Sequence, residues 1–237
     1  MGGFANNAPI VTDGLVFYVD AGNDNSYPGS GGTWSDLVGG NDGSFNSMDD
    51  INNPSNNYDS ANGGSITFDG VDDYVDCGSF GVGGDSSSYT FSAWSKNSNN
   101  NNILVKGRDG GFGAGWSLRI GTYEDQFMAS AVKTNPIEGY NFRSGTYVPN
   151  AWAYITGVWE RNSGKISLYV NGSLEGSYTF SGTAPFTLRS STAGWSMARI
   201  TNSSIGQGYI ACASVYNRVL TASEILQNYN ALKNRFI

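Results

Sequence analysis

Short runs of alternating apolar and polar residues recur along this chain, and nearly every one is closed by a cluster of glycine, asparagine or serine. The runs occupy residues 15–19, 65–76, 89–96, 103–106, 116–120, 126–133, 152–160, 165–171, 174–180 and 209–217. Within 65–76, Ile66 and Phe68 alternate with Thr67 and Asp69 before apolar character resumes at Tyr74 and Val75. A period of two bounded by turn residues marks half-buried strands. Strands at such regular spacing, without helices between them, predict an all-β fold: an antiparallel sandwich of two sheets. Composition agrees. Charged residues make up only 14% of the chain, and its 33 glycines supply uncharged turns. A helical bundle would need far more Leu, Ala, Glu and Lys. The length of 237 residues suits one sandwich domain.

One helix is predicted. Thr221-Ala222-Ser223-Glu224 is a capping box, and Ile225, Leu226, Tyr229 and Leu232 follow at helical spacing. The stripe reads as a short C-terminal helix packed on the sandwich. Residues 21–64 are the least regular stretch, and the run Asn97 to Asn102 reads as a solvated hairpin tip. The expected organisation is an N-terminal arm, residues 1–12, and a single domain, residues 13–237. The arm is uncharged and mildly apolar. It is expected either to dock on a neighbouring subunit or to lie along its own sandwich as an extra edge strand.

Several chemistries are excluded at the outset. There is no histidine, so Ser-His-Asp catalysis, Cys-His catalysis and histidine-ligated zinc are all impossible. Twenty acidic against thirteen basic side chains give a net charge of −7, which disfavours nucleic acid phosphates and anionic membranes. The first residues show no basic region followed by an apolar one, so no signal peptide is expected. No apolar stretch approaches the ~20 residues that span a bilayer, and no membrane insertion is expected.

Four segments then form a recognisable order. They are Phe68 to Val75 (FDGVDDYV), Tyr89 to Trp94 (YTFSAW), Ile166 to Gly172 (ISLYVNG), and Ile205-Gly206 followed by Ala213 to Thr221 and Glu224-Ile225. In this order they resemble the concanavalin A-like lectin/glucanase superfamily, in its laminin-G-like, pentraxin-related branch. The resemblance covers about residues 13–234 and implies a jelly roll. The opening Gly14 to Asn23 with Ser26 to Gly31, and the ending Leu220 to Asn230, are similar to laminin-G-like proteins of tailed phages, including marine and cyanobacterial ones. That resemblance implies a virion component, a capsid decoration or a tail or fibre module. Its expected partners are other virion proteins, further copies of itself and host-surface glycan. A secreted or cell-surface carbohydrate-binding module is the alternative.

The resemblance also directs attention to particular residues. Glucanases need two closely spaced carboxyls, but the glutamates at 124, 138, 160, 175 and 224 are scattered. No enzymatic activity is expected. A structural calcium is implied by the family, and Asp20, Asp36, Asp69, Asp72 and Asp73 offer hard oxygen ligands. The same aspartates could instead close a turn through Asx hydrogen bonds. Trp116, Tyr123, Tyr140 and Trp195 lie in or near glycine-rich loops and are the candidates for stacking on carbohydrate; packing is the competing role. Trp94, Trp152 and Trp159 sit within strands and are expected in the core. Cys77 and Cys212 lie on strands that the family places near each other in one sheet, so either a disulfide or two thiols is expected. Asn171 and Asn202 begin glycosylation sequons, relevant only in a eukaryotic secretory pathway.

Overall fold

A computed structural model describes residues 8–48, 57–80, 86–97, 102–107, 118–134, 136–145, 147–189, 194–201 and 204–237. Trp116, Asn202, residues 98–101 of the asparagine-rich loop and residues 1–7 of the arm lie outside these. In chain order the strands are β1 (Leu15–Asp20), β2 (Thr33–Trp34), β3 (Gly43–Asn46), β4 (Tyr58–Asp59), β5 (Ser65–Asp69) and β6 (Tyr74–Gly78). There follow β7 (Tyr89–Asn97), β8 (Asn102–Lys106), β9 (Leu118–Tyr123), β10 (Gln126–Lys133), β11 (Glu138–Ser144) and β12 (Trp152–Glu160). The last are β13 (Lys165–Val170), β14 (Ser173–Thr179), β15 (Trp195–Met197), β16 (Arg199–Thr201), β17 (Ser204–Ile205) and β18 (Gln207–Tyr216). The expected helix spans Ala222–Leu232.

Two large antiparallel sheets result, as the alternation predicted, and β16 and β17 form a small separate pair. The first runs β14-β13-β12-β7-β18, and the far side of β18 is shared by two partners. Residues 207–210 pair with β5, and residues 212–216 pair with β1. The second sheet runs β11-β10-β9-β8-β15-β6-β3-β2. The run 65–76 therefore divides, with β5 in the first sheet, β6 in the second and an acidic turn between them.

Inward side chains of both sheets fill one core, including Phe17, Phe91, Leu118, Ile120, Phe127, Trp159, Trp195 and Val215. Each large aromatic so buried contributes on the order of 5 kcal/mol of gross hydrophobic stabilisation. Gly157 in β12 is required by this packing, because a Cβ there would stand 2.5 Å from the Phe91 ring. A second apolar layer lies on the outer side of the first sheet, beneath the helix. There Trp94 stacks on Phe236 at 4.4 Å and on Tyr229 at 5.7 Å. Trp94 and Trp159 are fully buried, as expected of strand tryptophans, while Trp152 stays half-buried.

Several polar atoms within this second layer bond one another. The Ser92 hydroxyl lies 2.8 Å from both the Tyr154 hydroxyl and the Ser214 hydroxyl. Burial pushes the Tyr154 phenol up to about 12. Asn228 donates to the Tyr216 hydroxyl, which itself donates to the Val11 carbonyl. The Val11 amide returns a bond to Asn228 Oδ1 at 2.8 Å, and Gln227 donates to the Pro9 carbonyl. The described end of the arm is thus fastened to its own helix. Residues 8–12 form no strand there.

The cysteines correct an expectation. Cys77 sits on β6 and Cys212 on β18, in different sheets, and both are buried free thiols. Cys77 faces the core between the sheets, whereas Cys212 lies in the outer layer beneath the helix, so the two do not bridge. Burial raises both thiol pKa values, which makes them unreactive at neutral pH.

The capping box forms as expected, and Arg218 adds a two-pronged ion pair to Glu224. The Arg218 hydrogen bond, followed by the Thr221 amide, lowers the Glu224 carboxyl to about 2. A depressed carboxyl stabilises the fold fully above its unfolded value and loses that contribution as pH falls through the folded one. The pair is partly exposed, so its contribution is about 1 kcal/mol. The melting-temperature gap between the native chain and Glu224→Gln should be constant near neutrality and shrink between pH 4.5 and 2. A gap that persists at pH 2 would refute the ion-pair account.

Candidate functional site

The sequence offered two kinds of candidate: acidic residues for a cation and loop aromatics for a sugar. Among the five aspartates, the fold brings together Asp69, Asp72 and Asp73, each with a carboxylate oxygen within 4.8 Å of the others. They occupy the turn that carries the chain from one sheet to the other. Asp69 Oδ1 accepts from the Val71 amide at 2.7 Å, and Asp73 Oδ2 accepts from the Asp69 amide at 3.0 Å. The Asx bonds of a turn and the converging carboxylates are therefore both present in one element.

Asp20 and Asp36 stand elsewhere, each with a structural duty. Both Asp20 oxygens accept from Arg235 Nη1, at 2.9 and 2.8 Å, and Tyr18 donates its hydroxyl to the same carboxylate. The Asp36 carboxylate accepts from the backbone amides of Tyr18, Val38, Gly39 and Asn41 at 2.9–3.1 Å. It clasps the irregular segment to β1. Placing Asp20 and Asp36 in a common metal site with the other three is corrected by this geometry, since their oxygens are already committed to other partners.

Among the aromatics, Trp195 is also corrected. It is 1% exposed, in the middle of the second sheet between β8 and β6, with Phe80, Tyr89 and Phe91 rings within 6.0 Å. It is core and cannot meet a ligand. Tyr140 and Tyr123 remain partly open, at 39% and 41% exposure. Tyr140 stacks at 3.7 Å on Tyr178 across the open edge where β11 and β14 approach each other. Tyr178 donates to Glu138, which pairs with the fully buried Lys133.

Tyr123 belongs to a wider polar surface on the outer side of β9, β10 and β11. Register aligns Arg119, Ser130 and Asn141 as one cross-strand row. Arg119 donates to Ser130 at 3.4 Å and to Asn141 at 3.1 Å. Burial lowers the Arg119 guanidinium to about 10, and it remains charged at neutral pH. Arg143, one row along, holds its guanidinium 5.1 Å from the Tyr123 ring centre and pairs with Glu124. The result is a half-open ring flanked by planar donors and amide groups on a rigid sheet. Sequence reasoning found Tyr123 but missed Arg119, Asn141 and Arg143. Their signal, alternation across β9 and β11, is interrupted by Gly121 and Gly139.

This architecture is that of a lectin-like sandwich, and sequence comparison agrees. A laminin-G-type family model, of the concanavalin A-like lectin/glucanases superfamily, matches residues 69–226. The chain belongs to that superfamily. No curated protein matches the sequence. Among solved structures, domain 4 of AbnA, an extracellular GH43 arabinanase from Geobacillus stearothermophilus in complex with arabinotriose, is similar. Its TM-score is 0.63 at 15% identity, over 91% of this chain and 98% of that one. A mutant Trypanosoma rangeli sialidase displaying trans-sialidase activity matches with TM-score 0.63 and 14% identity. That match covers 97% of this chain but only 35% of the sialidase, so the chain spans about a third of its length. The receptor-binding domain of botulinum neurotoxin type G gives TM-score 0.59 at 14% identity, over 92% of this chain and 51% of the domain. At such identities the likeness is one of fold.

Proposed function

We propose that the chain is a non-enzymatic glycan-recognition domain serving as a structural component of a phage virion, as capsid decoration or as a tail or fibre adhesion module. The glycan part is carried by the outer face of β9–β11. An exposed tyrosine beside an arginine, with an amide and a second arginine in register, offers a stacking ring and planar donors to hydroxyl oxygens. The superfamily and the arabinotriose complex of a similar fold support this reading. The virion part is supported by the resemblance of residues 14–31 and 220–230 to tailed-phage proteins. Four of the glutamates are engaged by Arg or Lys partners, which supports a binding role over hydrolysis.

The experiment has two arms. The isolated chain on a glycan array should give a defined set of hits that Arg143→Ala weakens about tenfold or more. Mass spectrometry of purified phage particles should find the chain in stoichiometric amount. An array without hits overturns the glycan reading, and absence from particles overturns the virion one. A chain that binds glycans but is missing from particles would instead be a secreted or cell-surface carbohydrate-binding module.

A structural calcium fits the acidic turn by its donor chemistry, since Asp69, Asp72 and Asp73 converge hard oxygens as this ion requires. Asp69 and Asp73 would hold the ion against the sheet junction, and Asp72 would close it from the exposed side. Excess calcium at about 100 times its dissociation constant should stabilise the fold by ~2.7 kcal/mol. The melting temperature should then rise by several degrees relative to EGTA. Identical melting curves in calcium and EGTA would remove the ion from the turn.

A further inference from the structure

A pocket of about 180 Å³ lies between β10, the segment before β12 and the β13–β14 hairpin. Its walls come from both sheets: Phe127, Val148, Trp152 and Val170 supply apolar surface, and Asn171 and Glu175 supply the polar groups. We propose that this pocket is a second carbohydrate subsite, shaped for one neutral sugar ring.

Three observations carry the assignment. Glu175 stands apart from the other glutamates. Those at 124, 138, 160 and 224 are each paired to an arginine or lysine. Among the described residues, no hydrogen bond or ion pair engages Glu175. Its carboxylate therefore reaches the pocket as an acceptor with its capacity intact.

Asn171 supplies the complementary donor. It sits at the first central position of a two-residue hairpin turn between β13 and β14, with φ values of 51° for Asn171 and 81° for Gly172. This is the backbone that Asn-Gly favours in a tight hairpin. Asn171 Oδ1 is held by the Tyr154 amide at 2.9 Å, so the group left to offer is the Nδ2 donor. A fixed donor beside a free acceptor matches two neighbouring hydroxyls, one donating to Glu175 and the other accepting from Asn171.

The size and walls select the ligand further. At about 180 Å³ the pocket is smaller than the ~300–1,000 Å³ of sites that enclose drug-sized molecules, and it suits a single ring. The apolar walls match the C–H face of a pyranose or furanose. The Glu175 carboxylate would also attract a cation, so a small ammonium ion is the competing occupant that the test must separate from a sugar.

The test is saturation-transfer NMR and titration of the full chain with methyl glycosides of glucose, galactose, mannose, arabinose, fucose and N-acetylglucosamine. Methylammonium is run in parallel. At least one glycoside should bind, with a dissociation constant on the order of 1 mM, as a dozen-atom ligand allows. Glu175→Gln should weaken that binding about 10- to 100-fold while leaving the melting temperature unchanged, since a hydrogen bond to a charged acceptor is lost. Val148→Trp should block the rim and abolish binding. The proposal is overturned if no glycoside binds, if binding is indifferent to both substitutions, or if methylammonium binds and the glycosides do not. This subsite stands apart from the reading of the outer face. Arg143→Ala on the polymer array decides that one, and Glu175→Gln with single sugars decides this one.

Discussion

Replacing Arg235 by alanine should cost the fold about 3–5 kcal/mol, the expected penalty for stranding one partner of a buried ion pair. The Asp20 carboxylate lies just beneath the surface. It is bridged by Arg235 Nη1 at 2.8 and 2.9 Å, and Tyr18 donates to it as well. Without the guanidinium, that charge keeps only neutral donors, among them the Tyr18 hydroxyl and the Gly22 amide. Arg235 also reaches the Asn62 carbonyl at 3.2 Å, so the irregular segment near residue 62 loses an anchor in the same step. Arg235→Lys should recover only part of the loss, because an ammonium at the Nη1 position cannot also reach the Asn62, Gly63 and Gly64 carbonyls that Nε and Nη2 engage. The double variant Asp20→Asn/Arg235→Ala should be more stable than Arg235→Ala alone. Urea denaturation gives all four values. A loss below 1 kcal/mol for Arg235→Ala would show that the pair is solvated and of little consequence.

The second large effect is expected at Trp195. Trp195→Ala should destabilise the chain by roughly 3–5 kcal/mol, through lost transfer energy and the cavity left behind. For a domain of this length the melting temperature should fall by roughly 10 °C. The reason is position. Trp195 is the first residue of a three-residue strand inserted between β8 and β6, and its ring is stacked against Phe80 at 5.7 Å. Thermal unfolding monitored by circular dichroism settles the point. A change of only a degree or two would return the ring to the surface, where a ligand could find it.

Trp195 also shows where reading the sequence stops. The long strands declared themselves, because β7, β10, β12, β13 and β18 each show one apolar face or a continuous buried run. The helix announced itself through its capping box. β11 did not, since Glu138–Ser144 is an edge strand with little buried surface and so little alternation to detect. β2 and β4 are two residues long, too short for any period. What surrounds Trp195 is decided by pairing with residues about 90 and 120 positions earlier, which no local pattern records.

The same limit applies to the sites. The acidic turn was legible because its three aspartates lie within five residues of one another. Asp20 and Asp36 have the same chemistry, but their partners are Arg235 and four backbone amides, fixed only by the tertiary fold. The pocket at Asn171 and Glu175 could not be anticipated either. Its walls combine β10, the segment before β12 and the β13–β14 hairpin, which meet only when the sheets close.

The division of β18 between two neighbours has a consequence for how the molecule is made. Leu15 pairs with Tyr216 and Asp20 with Cys212, so the earliest strand waits for one of the latest before it has a partner. During synthesis, β7 likewise lacks its β18 neighbour until translation passes residue 216, and the Trp94 face stays wet until Tyr229 and Phe236 arrive. Contacts this distant in sequence make for slow closure. Until translation passes β18 and the helix, the nascent chain therefore carries an unsealed sheet edge and an uncovered aromatic surface. A stalled or truncated product ending before β18 would retain both, and should be a substrate for chaperones or proteases and not a smaller working domain.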